Sequence, residues 1–339
     1  MKAYVLYGID DLRYVDVEMP NCPEGWAFVR VKAAGICSSD IARVFTKGTY
    51  HFPTVPGHEF AGIVEKVGSE HDRRYIGKHV GVFPLIPCRE CIQCQDKHYE
   101  MCAHYDYLGS RRDGGFAEYV TVPIWNLLIV DENLPFTSVA MLEPLSVALH
   151  AMKQCMTLSQ KTVGIIGTGM IGICAAQWAK LLGASEVTVV GRNESKRGIV
   201  ENCGIDYIVP GTKDGIGRYD VVLEAVGTPE AIEHAIYSTK PGGELILMGN
   251  PSGDIKLMQN AYWYILRKQL RVYGTWNSVY DGINQSDWTE VVDAMSSNKI
   301  NISTLISHVF SQEDLMKGLQ IMRNHKESYC KIMTLWNQK

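Results

Sequence analysis

Up to about residue 145 the apolar positions fall in short runs, at 27–31, 61–67, 79–84 and 116–122, broken by glycines at 35, 57, 62, 68, 77 and 81. Runs of that length punctuated by glycine predict the turns and bulges of a strongly curved sheet and not a helical bundle. From residue 161 the texture changes. An apolar strand at 162–166 runs into Gly167-Thr-Gly169-Met170-Ile171-Gly172, and the positions after it predict a helix over 173–182 that ends at Gly183. A strand at 186–190, a helix near 195–203, strands at 220–225 and 244–248 around a helix at 229–238, and a strand at 270–273 complete the alternation expected of a doubly wound parallel sheet. Two helix starts follow, at Asp287-x-x-Glu290 and Ser311-x-x-Asp314, each with reciprocal capping logic. Their apolar stripes, Trp288, Val291, Val292 and Met295, then Leu315, Leu319 and Met322, read as core faces. The pattern predicts an α/β chain of two domains: a β-rich segment 1–145, a dinucleotide-binding segment 146–274, and a return segment 275–339 that completes the first.

Composition narrows the class. With 339 residues, 46% apolar and 21% charged, the chain has room for two hydrophobic cores and the balance of an ordinary soluble protein. A net charge of −4 offers no electrostatic footprint for nucleic acid or an anionic membrane. The N-terminus carries no signal-peptide pattern and no apolar run is long enough to span a bilayer, so a cytoplasmic location is expected. In a reducing compartment ten cysteines point to metal binding or catalysis and not to a disulfide framework.

Three constellations carry chemistry. Cys88, Cys91, Cys94 and Cys102 stand at C-x2-C-x2-C-x7-C, a spacing that can close a tetrahedral sulfur shell around zinc with no position left for water; iron–sulfur clusters use similar spacings. In Pro56-Gly57-His58-Glu59-Phe60, with Cys37 upstream and Glu143 downstream, imidazole, carboxylate and thiolate make a mixed set suited to a borderline metal that must open and refill one coordination position. The glycine loop, entered from a strand and left by a helix, suits a pyrophosphate: the first two glycines permit the tight turn and close backbone approach, the third lets helix and strand pack.

Taken together, and in this order, these features resemble the zinc-containing medium-chain dehydrogenase/reductase family over the whole chain. The resemblance implies a GroES-like catalytic domain with a structural zinc lobe, a Rossmann domain, and a homodimer or homotetramer. It implies that Cys37, His58 and Glu59 hold a catalytic zinc, that Glu143 approaches that metal directly or through water, and that Ser39 passes the alcohol proton toward solvent; a plain turn or N-cap serine is the competing reading of Ser39. The set looks most like the polyol dehydrogenase branch. Two longer matches, 105–119 and 266–270 with 274–276, are similar to members that act on phosphorylated hexitols, so a polyol phosphate is the expected substrate and a free polyol its competitor. Arg111 and Arg112 in the first stretch could grip phosphate through paired hydrogen bonds, against solvated charge as the alternative, and Tyr50 and His51 would line the substrate cleft. The expected cofactor contacts are Gly167, Gly169, Met170, Ile171 and Gly172.

The second strand ends without the acidic residue that bonds the adenosine ribose: Gly191 stands there, followed by Arg192. Loss of a carboxylate and gain of a cation favour a 2′-phosphate, hence NADP over NAD, with Arg197 assisting; an arginine that merely stacks on adenine is the alternative. A non-catalytic dinucleotide-binding protein is the reading from another class, and the full ligand set argues against it.

Overall fold

The computed structural model describes residues 1–210, 216–282 and 286–337. They group into two compact units, one of Met1–Glu143, Val279–Ser296 and Ile306–Lys339, the other of Pro144–Ser278 and Ser297–Leu305.

The first unit is organised on the eleven-residue strand Trp26–Ile36. One of its edges pairs antiparallel with Glu59–Val67; the other is shared, its start taken by Tyr119–Pro123 and its end by Lys331–Leu335. Register shifts at Phe28/Val29 and Val31/Ala33 bend the pairing with Glu59–Val67, as the glycine spacing predicts. The sheet continues through His79–Val82 to Leu127–Ile129 on one side and to Ile306–Ser311 on the other. Its core joins Val29, Val31, Ile36, Phe60 and Val64 to Leu315, Leu319, Met322 and Trp336.

The second unit is a six-stranded, wholly parallel sheet in the order Asp206–Ile208, Glu186–Val190, Thr162–Ile166, Tyr219–Glu224, Thr239–Leu247, Arg271–Gly274. Order and direction are those of the Rossmann fold.

Three local expectations need correction. The return is interrupted, because residues 275–278 and 297–305 group with the second unit. Buried Gln177 holds Asn301 there: its carbonyl oxygen accepts from the Asn301 N–H at 2.8 Å and its amide donates to the Asn301 carbonyl at 3.4 Å. The reciprocal cap of the helix Asp287–Ser296 lies one residue earlier than Asp287 and Glu290. Ser286 Oγ accepts from the Thr289 N–H while Thr289 Oγ1 accepts from the Ser286 N–H, and Asp287 instead accepts from the Val279 N–H at 2.8 Å. Ser311 makes no side-chain cap, since a 3₁₀ turn, Gln312–Asp314, precedes the helix Leu315–Asn324.

Candidate metal centres and cofactor site

Sheet register builds the first centre. Gly35 faces Glu59 across one edge of the long strand and Ile36 faces Ile332 across the other, so Cys37, at the strand's exit, Glu59 and Lys331 converge. A Cβ on Gly35 would stand 2.5 Å from Glu59 Oε2; the glycine makes room for the carboxylate. Donor atoms of Cys37, His58 and Glu59 all lie within 4.8 Å of one another. Lys331 takes Glu59 Oε2 at 2.5 Å and leaves Oε1. Asp40 Oδ1 lies 3.4 Å from His58 Nδ1, which leaves Nε2 as the ring nitrogen available to a metal. A carboxylate behind a metal-binding histidine fixes its tautomer and orientation.

The charges fit a cation. Burial alone would keep the His58 ring neutral, yet Asp40 and Cys37 raise its pKa well above the ordinary imidazole range. The same negative potential suits a divalent ion. Burial, with Glu59 adding to it and His58 opposing, pushes the Glu143 carboxyl up to about 7. Glu143 is buried beside the cluster, but its oxygens are not among those within 4.8 Å; its Oε1 accepts from the Tyr107 hydroxyl at 3.5 Å. Tyr107 in turn packs against the His58 ring with centroids 5.9 Å apart.

Ser39 lies in the short helix Ser38–Ala42 that begins after Cys37. Its Oγ accepts from Arg43 Nη1 at 2.9 Å. Cys37, not Ser39, occupies the N-cap position.

The four-cysteine lobe is equally compact. All four sulfurs lie within 4.8 Å of one another, with Cys91–Cys102 at 3.9 Å and Cys88–Cys94 at 4.0 Å. A tetrahedron with metal–sulfur bonds of about 2.3 Å has edges of about 3.8 Å. A cluster that puts each thiolate on a different iron needs wider spacing, so a single ion fits better. Backbone N–H donors from Ala103 and Cys94 pull the Cys91 thiol down to about 6, and burial pushes Cys94 up to about 12.

Of the residues expected at the substrate, some meet and others are committed elsewhere. Arg111 is sandwiched between the rings of Tyr50 and Tyr105, at 4.2 and 4.4 Å, and its buried Nε has no protein partner. Tyr105 packs edge-on to Tyr107, continuing the aromatic line back to His58. Arg112 is occupied, ion-paired to Asp106 at 2.8 Å and stacked on Trp26. His51 points both ring nitrogens at backbone carbonyls, those of Pro53 and Arg111, so it braces the Arg111 loop.

In the second unit the three glycines of the loop stand in different surroundings. Gly167 has φ +123°, which a side chain would strain; a Cβ on Gly172 would meet the Gly167 carbonyl at 2.2 Å; and Gly169 faces open space. Gly169 caps the helix Met170–Leu181, whose first turn holds Met170 and Ile171 and presents N–H groups suited to phosphate. Gly167, Gly169, Gly191 and Arg192 line one cavity. A Cβ on Gly191 would stand 2.1 Å from Thr168 Cγ2, so the usual acidic residue has no space as the backbone stands. Arg192 is exposed and has no partner among the described residues. Arg197 is not available: Glu194, Glu201 and the Tyr207 carbonyl bind its guanidinium.

Sequence reasoning missed Asp40, Arg43, Tyr107 and Lys331. Asp40 could have been found from its place three residues after Cys37. Lys331, a lysine heading the apolar run Ile332-Met333-Thr334-Leu335, signals a buried partner without saying which.

Among the described residues no helix is long and apolar enough to cross a membrane. The model of the alcohol dehydrogenase GroES-like domain matches residues 23–132, and that of the zinc-binding dehydrogenases matches 171–297. Galactitol 1-phosphate 5-dehydrogenase of Escherichia coli K12 is 33% identical over 307 residues, covering 87% of this chain and 89% of that one. A crystal structure of the Escherichia coli galactitol-1-phosphate dehydrogenase matches with TM-score 0.91 and 31% identity, over 99% of this chain and 100% of that one. A protein from Sinorhizobium meliloti 1021 bound to NADP matches with TM-score 0.89 and 27% identity over 98% of both chains. The alcohol dehydrogenase RspB from Escherichia coli CFT073, complexed with NADH, matches with TM-score 0.89 and 25% identity over 99% of both.

Proposed function

This chain belongs to the zinc-binding alcohol dehydrogenases, and within that family we propose that it oxidises a secondary alcohol of a polyol phosphate, galactitol 1-phosphate being the first choice. The observation that carries the phosphate is Arg111, held rigid between Tyr50 and Tyr105 with a buried, unpaired Nε, at the end of an aromatic line that starts at His58. A buried donor without a partner costs about 1–3 kcal/mol. A phosphate oxygen would remove that cost and accept a charge-assisted bond.

In this reading Cys37, His58 and Glu59 hold the catalytic zinc, with Glu143 as the nearby carboxylate, and Cys88, Cys91, Cys94 and Cys102 hold the structural one. Zinc supplies Lewis acidity toward the alcohol oxygen, and the dinucleotide supplies the hydride acceptor. Ser39 accepts the hydroxyl proton. Because Arg43 already donates to its Oγ, one lone pair is left for that proton and the serine's own hydrogen is free to pass onward. Asp40 keeps His58 oriented.

The cofactor reading is NADP over NAD, supported by the blocked position at Gly191 and by the cation of Arg192 beside it, exposed and without a partner among the described residues. A homo-oligomer is supported by the edge position of Arg271–Gly274 in its sheet and by exposed Tyr262, Trp263 and Leu266 on the helix Gln259–Arg267. An exposed edge strand with apolar neighbours invites pairing with a second copy.

The test is nicotinamide reduction by the zinc-replete protein, with galactitol 1-phosphate and galactitol in parallel and each offered NADP and NAD. Preference for the phosphorylated polyol with NADP is the expected result. Equal use of galactitol would move the protein to the free-polyol branch.

A further inference from the structure

The two rings that clasp Arg111 come from different parts of the chain. Tyr105 belongs to the same stretch as Arg111, whose Nη1 also donates to the Tyr105 carbonyl at 3.1 Å. Tyr50 belongs to the segment 49–54 and is 68% exposed, so burial does not hold it over the guanidinium. The hydrogen bond that joins the two segments at the clasp is the one between His51 Nε2 and the Arg111 carbonyl, at 3.0 Å. Further ties run from Val55, to Asp113 and Gly114.

The atoms facing the His51 ring are all acceptors. Nδ1 lies 3.1 Å from the Pro53 carbonyl and 3.1 Å from Thr54 Oγ1. Thr54 directs its one hydroxyl hydrogen to the His51 carbonyl at 2.5 Å, where Thr49 also donates at 2.6 Å, so toward Nδ1 it can only accept. Both ring nitrogens must therefore carry hydrogen, which only the imidazolium supplies. A neutral ring would turn a lone pair toward a carbonyl oxygen and lose one of its two ties. The titratable and charged side chains on the segments packed against the ring are Tyr50, Tyr105, Arg111, Arg112 and Asp113. Arg112 is paired with Asp106, Asp113 accepts from the Val55 N–H at 2.8 Å, and among the described residues His51 is ion-paired to no carboxylate.

Resting on the phosphate reading above, we propose that His51 is a positioning residue for that site and acts in its charged form: with N–H groups on both nitrogens it holds the Tyr50 segment against Arg111, and on losing a proton it releases them, so preference for a phosphorylated over a free polyol falls as the ring deprotonates. The sign follows from the geometry. The clasp needs the charged ring, so the ordering it gives Arg111 is present at low pH and is lost as pH rises through the range in which imidazole changes charge.

The test is the ratio of kcat/KM for galactitol 1-phosphate to that for galactitol, at about pH 6 and about pH 8.5, a span that brackets the charge change of imidazole. It is measured on the zinc-replete full chain, in the wild type and in His51→Gln, whose amide donates but does not change charge. Taking the ratio cancels the pH dependence of the oxidation step, which both substrates share. A phosphate monoester gains its second charge at about pH 6, which strengthens its hold on arginine as pH rises, so the substrate's own titration acts in the opposite direction. The wild-type ratio is expected to be about tenfold lower at the higher pH, the effect of one charge-assisted hydrogen bond, through KM for the phosphorylated substrate and not through kcat. In His51→Gln the ratio should start near the lower value and not fall. A wild-type ratio that is flat or rises with pH, or a fall that His51→Gln repeats, would overturn the proposal. A wild-type ratio near one at both pH values would instead remove the phosphate reading, and the proposal with it.

Discussion

Lys331 Nζ lies 2.5 Å from Glu59 Oε2 across 272 residues of chain, and both side chains are at most 3% exposed. Burial would lower the lysine's pKa, but Glu59 holds it well above the ordinary value. The last strand of the chain thus carries the counter-charge of a proposed metal ligand. Breaking a buried pair by removing one partner costs about 3–5 kcal/mol, because the other charge is stranded. Lys331→Met should lower unfolding free energy by about that amount in urea titrations of protein stripped of the ion at Cys37, His58 and Glu59, where no metal offsets the Glu59 charge. Adding Glu59→Gln should restore most of the loss, and a double variant no better than Lys331→Met would contradict the pairing.

The two metal centres should be separable. Cys94→Ser removes a buried ligand of the four-sulfur shell and should lower zinc from two ions per chain to one, with a fall in thermal midpoint, since a closed zinc site contributes folding energy directly. Cys37→Ser should also lower zinc to one, yet leave the midpoint closer to the wild type. Metal analysis and a melting curve on each variant decide it.

Those two centres also show how far the sequence could be read. The four cysteines fall within fifteen consecutive residues, Cys88 to Cys102, so their spacing alone foretells a compact sulfur shell. The strand–glycine–helix passage around Gly167 is local in the same way. Lys331, by contrast, reaches Glu59 only through the pairing of Lys331–Leu335 with Trp26–Ile36, a register no local pattern encodes. The ion pairs of Arg112 and Arg197 were hidden for a related reason: a charged residue's partners depend on its neighbours in space, here Asp106 for one and Glu194 and Glu201 for the other. The return segment's detour at 297–305 depended on the amide of Gln177, which has no signature in sequence.

Cofactor choice should turn on Arg192. Arg192→Ala should lower kcat/KM for NADP by about 10- to 100-fold, the effect of losing charge-assisted bonds to a phosphate, and change kcat/KM for NAD by less than about twofold. Arg197→Ala should leave the ratio unaltered. Steady-state kinetics with both cofactors is the measurement, and an NADP efficiency insensitive to Arg192 would remove the basis of the NADP reading.

Asp220 predicts a pH dependence of stability. Burial would raise its pKa, but the backbone N–H and hydroxyl of Thr162, at 2.9 and 2.8 Å, and Lys240 at 3.1 Å hold it below the ordinary carboxylate value. A folded-state pKa below the unfolded one adds stability that is present above the unfolded value, about 3.9, and is lost as pH falls through the folded one. Asp220→Asn should therefore be less stable than the wild type by about 1–3 kcal/mol at pH 7, with the gap closing as pH falls below about 4. Urea unfolding at the two pH values tests the sign.

The phosphate reading stands or falls on Arg111. The decisive measurement is the ratio of kcat/KM for galactitol 1-phosphate to that for galactitol, in the wild type and in Arg111→Leu, each zinc-replete. The expected result is a wild-type ratio of at least about 100, two charge-assisted bonds' worth of discrimination, that falls by at least about tenfold in Arg111→Leu while activity on galactitol is retained. A ratio that Arg111→Leu leaves unchanged would contradict the account.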